Sequence, residues 1–270
     1  MKKLAASLLL LVVIFSCTKE ETPQVAPVLP PAETMAIDFS KFGLTEKSVA
    51  MLRSNLFYAA KTVGVWNVIM GTTFAVPVAA FKKAIDHEPV NTGNSTWQWQ
   101  YTVEGFTSQY TARLTGKLEA SQIKWEMHIS KEGVDSFDEF LWFEGTSNPD
   151  GKSGQWVLYH SAAYPEKTVQ VDWKKEDVEV GEIKYSYVRE KNNQGENEAF
   201  KGSTLTYGLQ DAHFDVYVNV HACDIQTQQF ADTNIEWNRT GFAGRVKSEK
   251  YFTDTNWHCW DSQGYDAECE

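Results

Sequence analysis

From Thr96 almost to the C-terminus, hydrophobic side chains recur at every second position. Trp97, Trp99, Tyr101 and Val103 alternate with Gln98, Gln100, Thr102 and Glu104. Tyr110, Ala112, Leu114 and Leu118 oppose Gln109, Thr111, Arg113 and Lys117, and Ile123, Trp125, Met127 and Ile129 oppose Lys124, Glu126 and His128. The same period returns at Val169-Val171-Trp173, Ile183-Tyr185-Tyr187, Leu205-Tyr207-Leu209, Phe214-Val216-Val218-Val220 and Ile235-Trp237. A strand turns successive side chains to opposite faces, so each run is apolar on one face and polar on the other. A sheet that is dry on one side only is antiparallel in character. Pro149-Asp150-Gly151 and Asn192-Asn193-Gln194-Gly195 are turn sequences between runs, and short connections favour hairpins. No helical pattern alternates with the strands, which excludes a parallel α/β sheet. Phe140-Leu141-Trp142-Phe143 is apolar at four successive positions and reads as a strand covered on both faces. About ten strands are expected.

Before the strands lies a helical stretch. Thr45 can cap a helix starting near Glu46, and Val49, Leu52, Leu56, Ala59, Val63, Trp66 and Met70 form one apolar stripe. Gly71-Thr72-Thr73 reads as a break. A second segment, Phe74 to Ile85, carries Pro77 in its first turns and ends at Asp86-His87-Glu88-Pro89. Residues 62–81 hold no charge, but Asn67, the break and Pro77 argue against a membrane span. A one-sided sheet of about ten twisted strands curls, closes or splits. A barrel, a sandwich and a curved sheet around the helices all fit, and the last pairs the apolar helices with the apolar sheet face. The expected fold is therefore α+β and mostly antiparallel β. A large curved or barrel-like sheet packs on an N-terminal helical pair (about 46–86), in a single domain over 36–270.

The N-terminus carries an address. Lys2 and Lys3 precede a short apolar run, Leu4 to Phe15, too short to span a bilayer and laid out like a secretory signal. The run ends in Ile14-Phe15-Ser16-Cys17, which resembles a bacterial lipobox. That resemblance implies a signal peptide over 1–16, cleavage before Cys17, and acylation of its thiol and new amine. Such chains hold a protein stably on a membrane. Lys19, Glu20 and Glu21 resemble the surface-export signal of Bacteroidota lipoproteins. Pro23, Pro27, Pro30 and Pro31 make residues 17–35 read as an extended, semi-rigid tether that stands clear of the domain. With the closing segment Gly244-Arg245-Val246-Lys247, Trp257-His258-Cys259-Trp260-Asp261 and Cys269, the whole resembles the uncharacterised surface lipoproteins of Bacteroidota. The implied location is the outer membrane, facing the cell surface. The membrane is then a partner through lipid at Cys17. No catalytic residue carries over from such a family.

Chemistry-bearing motifs are sparse. Cys223, Cys259 and Cys269 remain after Cys17, an odd number for an exported protein. Cys259 and Cys269 enclose a short loop and are expected to bridge, leaving Cys223 free. No C-x-x-C is present, so thiol redox chemistry and a zinc ribbon have no basis. Asp211, His213, Asp215, Tyr217, Asn219 and His221 share one face of a strand. His213 and Asp215 could ligate a metal only with partners from neighbouring strands. Asp261, Asp266 and Glu268 lack the spacing of an EF-hand. No metal or cofactor is expected. There is no G-x-S-x-G, H-E-x-x-H, P-loop or G-x-G-x-x-G. A glycosidase needs only two carboxylates, so the 36 acidic residues neither exclude nor support one. A net charge of −11 gives no electrostatic reason to bind nucleic acid.

Aromatics make up 13% of the chain. Trp97, Trp99, Trp125, Trp173, Tyr185 and Tyr187 fall on the inward faces and are expected in the core. Trp142, Trp156 and Trp260 break the alternation or fall in expected loops, and are the candidates for ligand contact. The expected function is a non-enzymatic, surface-tethered lipoprotein that binds a ligand or an envelope protein; glycan, apolar ligand and envelope protein stand as candidate partners. The alternatives are a glycan-hydrolysing enzyme, a structural envelope component, and a carrier of a lipid or other apolar ligand. The carrier reading requires a pocket between sheet and helices, lined by Val63, Trp66, Trp125 and Trp173.

Overall fold

The structure is a computed structural model and describes residues 25–35, 54–104, 108–176, 179–224 and 226–269. The signal segment, Cys17, Lys19, Glu20, Glu21 and the first expected helical turns (46–53) lie outside the described residues.

Helix α1 (Ser54–Thr73) and helix α2 (Ala75–Ala84) meet at Phe74, whose backbone (φ −114°, ψ 17°) leaves the helical region. Leu56, Ala59, Val63 and Trp66 of the expected stripe are buried. The break falls after Gly71-Thr72-Thr73, and Pro77 accounts for it. A proline ring clashes with the carbonyl four residues earlier, here Thr73, so one continuous helix cannot pass through it. Restarting at Ala75 places Pro77 in a first turn, where its missing N–H costs nothing.

The strands are β1 (Val90–Gly93), β2 (Thr96–Glu104), β3 (Gln109–Glu119), β4 (Gln122–Lys131), β5 (Phe137–Ser147), β6 (Ser153–Ser161) and β7 (Tyr164–Glu176), then β8 (Glu179–Tyr187), β9 (Thr204–Leu209), β10 (Val216–Cys223), β11 (Phe230–Trp237), β12 (Gly244–Lys247), β13 (His258–Trp260) and β14 (Asp266–Ala267). Among the described residues they form one open 14-stranded sheet in which each strand pairs antiparallel with its neighbours in sequence. The mostly antiparallel β class agrees with the alternation, but the count exceeds the expected ten. The strands that no alternating run had marked are β1, β6 and β12–β14. All four residues of β1 are exposed, and β12–β14 have four, three and two residues, too few to show a period. In β6, Val157 and Tyr159 blur the contrast with the inward Trp156 and Leu158.

Phe140 to Phe143 is not doubly covered. Phe140 pairs with Ile129, Leu141 with His128 and Phe143 with Met127, which leaves Trp142 as the extra residue of a β-bulge. The bulge resets the alternation, so Phe140 and Phe143 both turn inward.

The sheet bends around α2. Tyr101 on β2 donates to the carbonyl of Ala80 at 2.6 Å. The next residue, Phe81, sets its ring edge-on to Phe143 on β5 (5.8 Å) and Trp156 on β6 (5.3 Å). In a flat sheet β2 and β6 would lie about 19 Å apart, far more than the width of one helix. Helix α1 continues across the same concave face. Trp66 lies 6.5 Å from Tyr185 on β8, Tyr58 hydrogen-bonds Thr233 on β11 and Ser248 beyond β12, and Asn55 donates to the Cys259 carbonyl on β13.

Within the strands, glycines are roofed by aromatic rings of their cross-strand partners. Gly116 pairs with Trp125, Gly145 with Trp156, Gly154 with Trp173, Gly208 with Tyr217 and Gly244 with Trp260. A Cβ at any of these glycines would fall 2.2–2.5 Å from the facing ring. The rings occupy the volume that side chains would fill elsewhere.

The C-terminal end of the expected tether is not clear of the domain. Thr34 and Met35 are fully buried, and Ala26 and Leu29 pack on the core. A 3-10 turn at Ala32–Thr34 follows Pro31, Thr34 Oγ1 donates to the Pro31 carbonyl, and it accepts from Trp156 Nε1 at 3.1 Å. Single anchors of this kind carry no hydrophobic period, which is why composition alone read the segment as solvated. Cys259 and Cys269 form a disulfide that ties β13 to the chain end, with Cα atoms 5.3 Å apart. A loop this short contributes about 2–3 kcal/mol. Cys223 is free and buried.

Candidate functional site

The three tryptophans singled out for ligand contact are all inside. Trp156 is 0% exposed, Trp260 2% and Trp142 8%. Trp156 sits between Phe81 and Phe143. Trp260 covers Gly244 and donates to the Phe242 carbonyl at 2.9 Å. Trp142 is turned by its bulge against Phe137 and Phe140. Trp156 and Trp260 belong to strands and not to loops, and this removes them from the surface. Trp97, Trp99, Trp125, Trp173 and Tyr185 are buried as expected.

The polar face of β10 is divided among separate pairs. Asp215 accepts from the backbone N–H and the guanidinium of Arg239, which also reaches Glu179, and these bonds hold its carboxyl below the usual range against the opposing effect of burial. His221 pairs with Asp232 on β11 at 2.6 Å. Asp261 accepts from the N–H groups of Gln263 and Tyr265, and Asp266 from that of Asn55. Among the described residues no three His, Cys, Asp or Glu side chains converge.

The structure instead offers a slot of about 620 Å³ between α1 and one end of the sheet. Tyr58, Lys61, Thr62, Val65 and Trp66 form its helix side, and Tyr187, Phe200, Val220, Ala222, Cys223 and Ala231 much of the sheet side. Trp66 is the one residue it shares with the lining anticipated from sequence. Val63, Trp125 and Trp173 are instead packed in the filled core. The volume lies within the range of small-molecule sites. The lining runs from His160 on β6 to Thr233 on β11, across five strand spacings of the curved sheet.

The slot exists because inward side chains are small here. Along β10, Val216, Val218 and Val220 face inward, and the next inward position is Ala222. Ala222 is the direct cross-strand partner of Ala231 on β11, and Ser203, just before β9, accepts the Cys223 N–H on its Oγ at 3.1 Å. Ala222, Ala231 and Ser203 did not stand out in the sequence. The legible signal was the step from valine to alanine in an otherwise bulky inward row.

Polar groups mark the two ends. At the β10–β11 end, Lys250 pairs with Asp224 at 2.7 Å; with the N–H and hydroxyl of Thr227 it holds the Asp224 carboxyl well below the usual carboxylate range. At the β6 end His160 faces the slot, and burial, then the charge of Arg189, pushes its imidazole pKa down. Arg189 is itself 5% exposed, and its guanidinium lies 3.6 Å from Glu166 and hydrogen-bonds Asn193. Burial raises the pKa of the Tyr187 hydroxyl between them, with Glu198 nearby. Among the described residues Asp224 is the single carboxylate lining this slot. A second, polar cleft of about 710 Å³ holds Asp232 and Glu249. Both are exposed, whereas a general acid needs burial to keep its proton. Comparison with protein families, curated proteins and solved structures gave no match for this chain.

Proposed function

We propose that this chain is a lipid-anchored protein of the outer membrane whose β domain binds an apolar, chain-shaped ligand in the slot under α1. The slot, with a largely apolar wall that extends from β6 to β11, is the observation that carries this reading. The lipobox ending in Cys17 and the Lys19-Glu20-Glu21 signal supply the location. Neither cleft presents a buried carboxylate pair, so the glycan-hydrolysing alternative gains nothing from the site.

A neutral naphthylamine dye reports apolar binding by its fluorescence. The dye should bind saturably and be displaced by long-chain amphiphiles. Ala222→Trp places an indole in the slot, and dye affinity should fall about 10- to 100-fold with far-UV circular dichroism unchanged. Wild-type affinity in this variant, or no binding by either protein, would reject the slot as a ligand site and leave a structural component as the better reading. For the location, replacing Lys19, Glu20 and Glu21 together by alanine should turn a protease-accessible protein on intact cells into a protected one. Unchanged accessibility would remove the export signal from the account.

A further inference from the structure

Beside the slot the sheet has a gap. Strand β10 pairs with the whole of β11, from Phe230 to Trp237, but β12 reaches only Asn234–Trp237. After Lys247 the chain leaves the ladder at Ser248 and turns into the short helix Glu249–Phe252. Among the described residues the first four positions of β11 therefore have no strand on that edge. Residues from both sides of this gap line the polar cleft of about 710 Å³. The cleft shares Ala231 and Lys250 with the slot. Ser248 on the cleft wall also hydrogen-bonds Thr233 on the slot wall at 3.2 Å. The apolar slot and the polar cleft are thus neighbours that meet at one place.

The cleft has the chemistry that the slot lacks. Side chains alternate along β11, so Thr233 lines the slot while Phe230, Asp232 and Asn234 line the cleft. Gln229, Asn234, Ser248 and Thr255 supply amides and hydroxyls that both donate and accept. Phe230 is 43% exposed, an aromatic ring on a wet wall, and the His221 imidazole stacks on it at 4.7 Å. The two carboxylates of the cleft, Asp232 and Glu249, are matched by two ammonium groups, Lys247 and Lys250. A charged head finds no net attraction in such a balance. A sugar suits it, because its hydroxyls donate and accept at once and its C–H face can lie against an aromatic ring.

We infer that the occupant of the slot is an amphiphile of the glycolipid type with an uncharged sugar head. Its tail lies in the slot, its head in the cleft against Phe230, Asp232 and Asn234, and the two halves join at Ala231 and Lys250. This rests on the slot reading above and adds the head group to it.

Competition against the naphthylamine dye tests it with three dodecyl ligands, each below its micelle concentration: dodecyl maltoside, dodecyl tetraethylene glycol ether and laurate. The maltoside should compete about ten-fold better than the other two. Phe230→Ala and Asn234→Ala, made separately, should each bring the maltoside within about two-fold of the ether, with dye affinity unchanged. A second readout needs no variant. Bound maltoside should slow the acetylation of Lys247, mapped by mass spectrometry, and bound ether should not. Equal competition by maltoside and ether would overturn the sugar site while the apolar slot stands. Tighter binding of laurate would overturn it in favour of an anionic head at Lys61 and Lys250. A maltoside advantage that survives both substitutions, or acetylation of Lys247 unchanged by maltoside, would also overturn the assignment. Failure of the dye and all three ligands to bind would instead strike the slot reading itself.

Discussion

Replacing Trp156 by alanine is expected to cost about 3–5 kcal/mol of folding stability, read by chemical denaturation. The side chain is fully buried, so its removal both exposes its neighbours and leaves a cavity in a core that cannot collapse around it. Its ring meets Phe81 of α2 and Phe143 of β5 edge-on, an arrangement worth more than its area alone. Its Nε1 holds Thr34, so the loss also loosens the segment at residues 25–35. Trp156→Phe keeps an aromatic ring and should cost clearly less. Val134→Ala, at a site that is 81% exposed, is the control and should change stability by less than about 0.5 kcal/mol. A Trp156→Ala protein as stable as that control would mean that β6 does not pack as described.

The second large effect comes from adding one carbon. Gly145→Ala is expected to destabilise by about 3 kcal/mol, at the upper end for overpacking. Its Cβ would stand 2.3 Å from the backbone carbonyl oxygen of Gln155 and 2.3 Å from the Trp156 ring. A carbonyl held in a ladder cannot step aside, so the cost is paid in strand separation. Gly116→Ala provides the comparison, because there the near atoms all belong to the ring of Trp125. It should cost about 1–2 kcal/mol, and much of that should vanish in a Trp125→Leu background. Glycine-to-alanine changes that prove neutral at both sites would show that the rings do not lie on the strands. Thermal melts of the wild type, Gly145→Ala, Gly116→Ala, Trp125→Leu and the Gly116→Ala/Trp125→Leu double variant measure this directly.

Much of the architecture was readable because most strands are wet on one face. The runs from Trp97 to Val103 and from Ile123 to Ile129 announce both their period and their inward residues, and the structure buries those residues. Reading failed where alternation was interrupted or too short to see. One unpaired residue at Trp142 shifts the parity of β5, and a four-residue run of apolar side chains results. Trp156 follows Gly154 and Gln155, and Trp260 lies in a three-residue strand, so neither had a long period to declare its face. Thr34 and Met35 are anchors without a pattern around them. The candidate site was harder still. A slot is made by volume that is missing, and Ala222, Ala231 and Ser203 are ordinary residues until their partners across the sheet are known.

A fourteen-strand meander faces a problem of counting. Its strands share one apolar-polar rhythm, so a strand that slides by two residues keeps every inward residue inward and escapes the penalty that a one-residue slip incurs. The glycine–aromatic pairs remove that freedom. Sliding β6 by two positions against β5 would carry the Trp156 indole off Gly145 and onto the side chain of Phe143 or Ser147, and would leave the glycine as a hole. Each such pair acts as a keyed joint between two neighbouring strands, and the joints recur from Gly116 to Trp260. The abundance of tryptophan in this chain is then a means of alignment during folding as much as a source of bulk: it tells otherwise interchangeable strands where to stop.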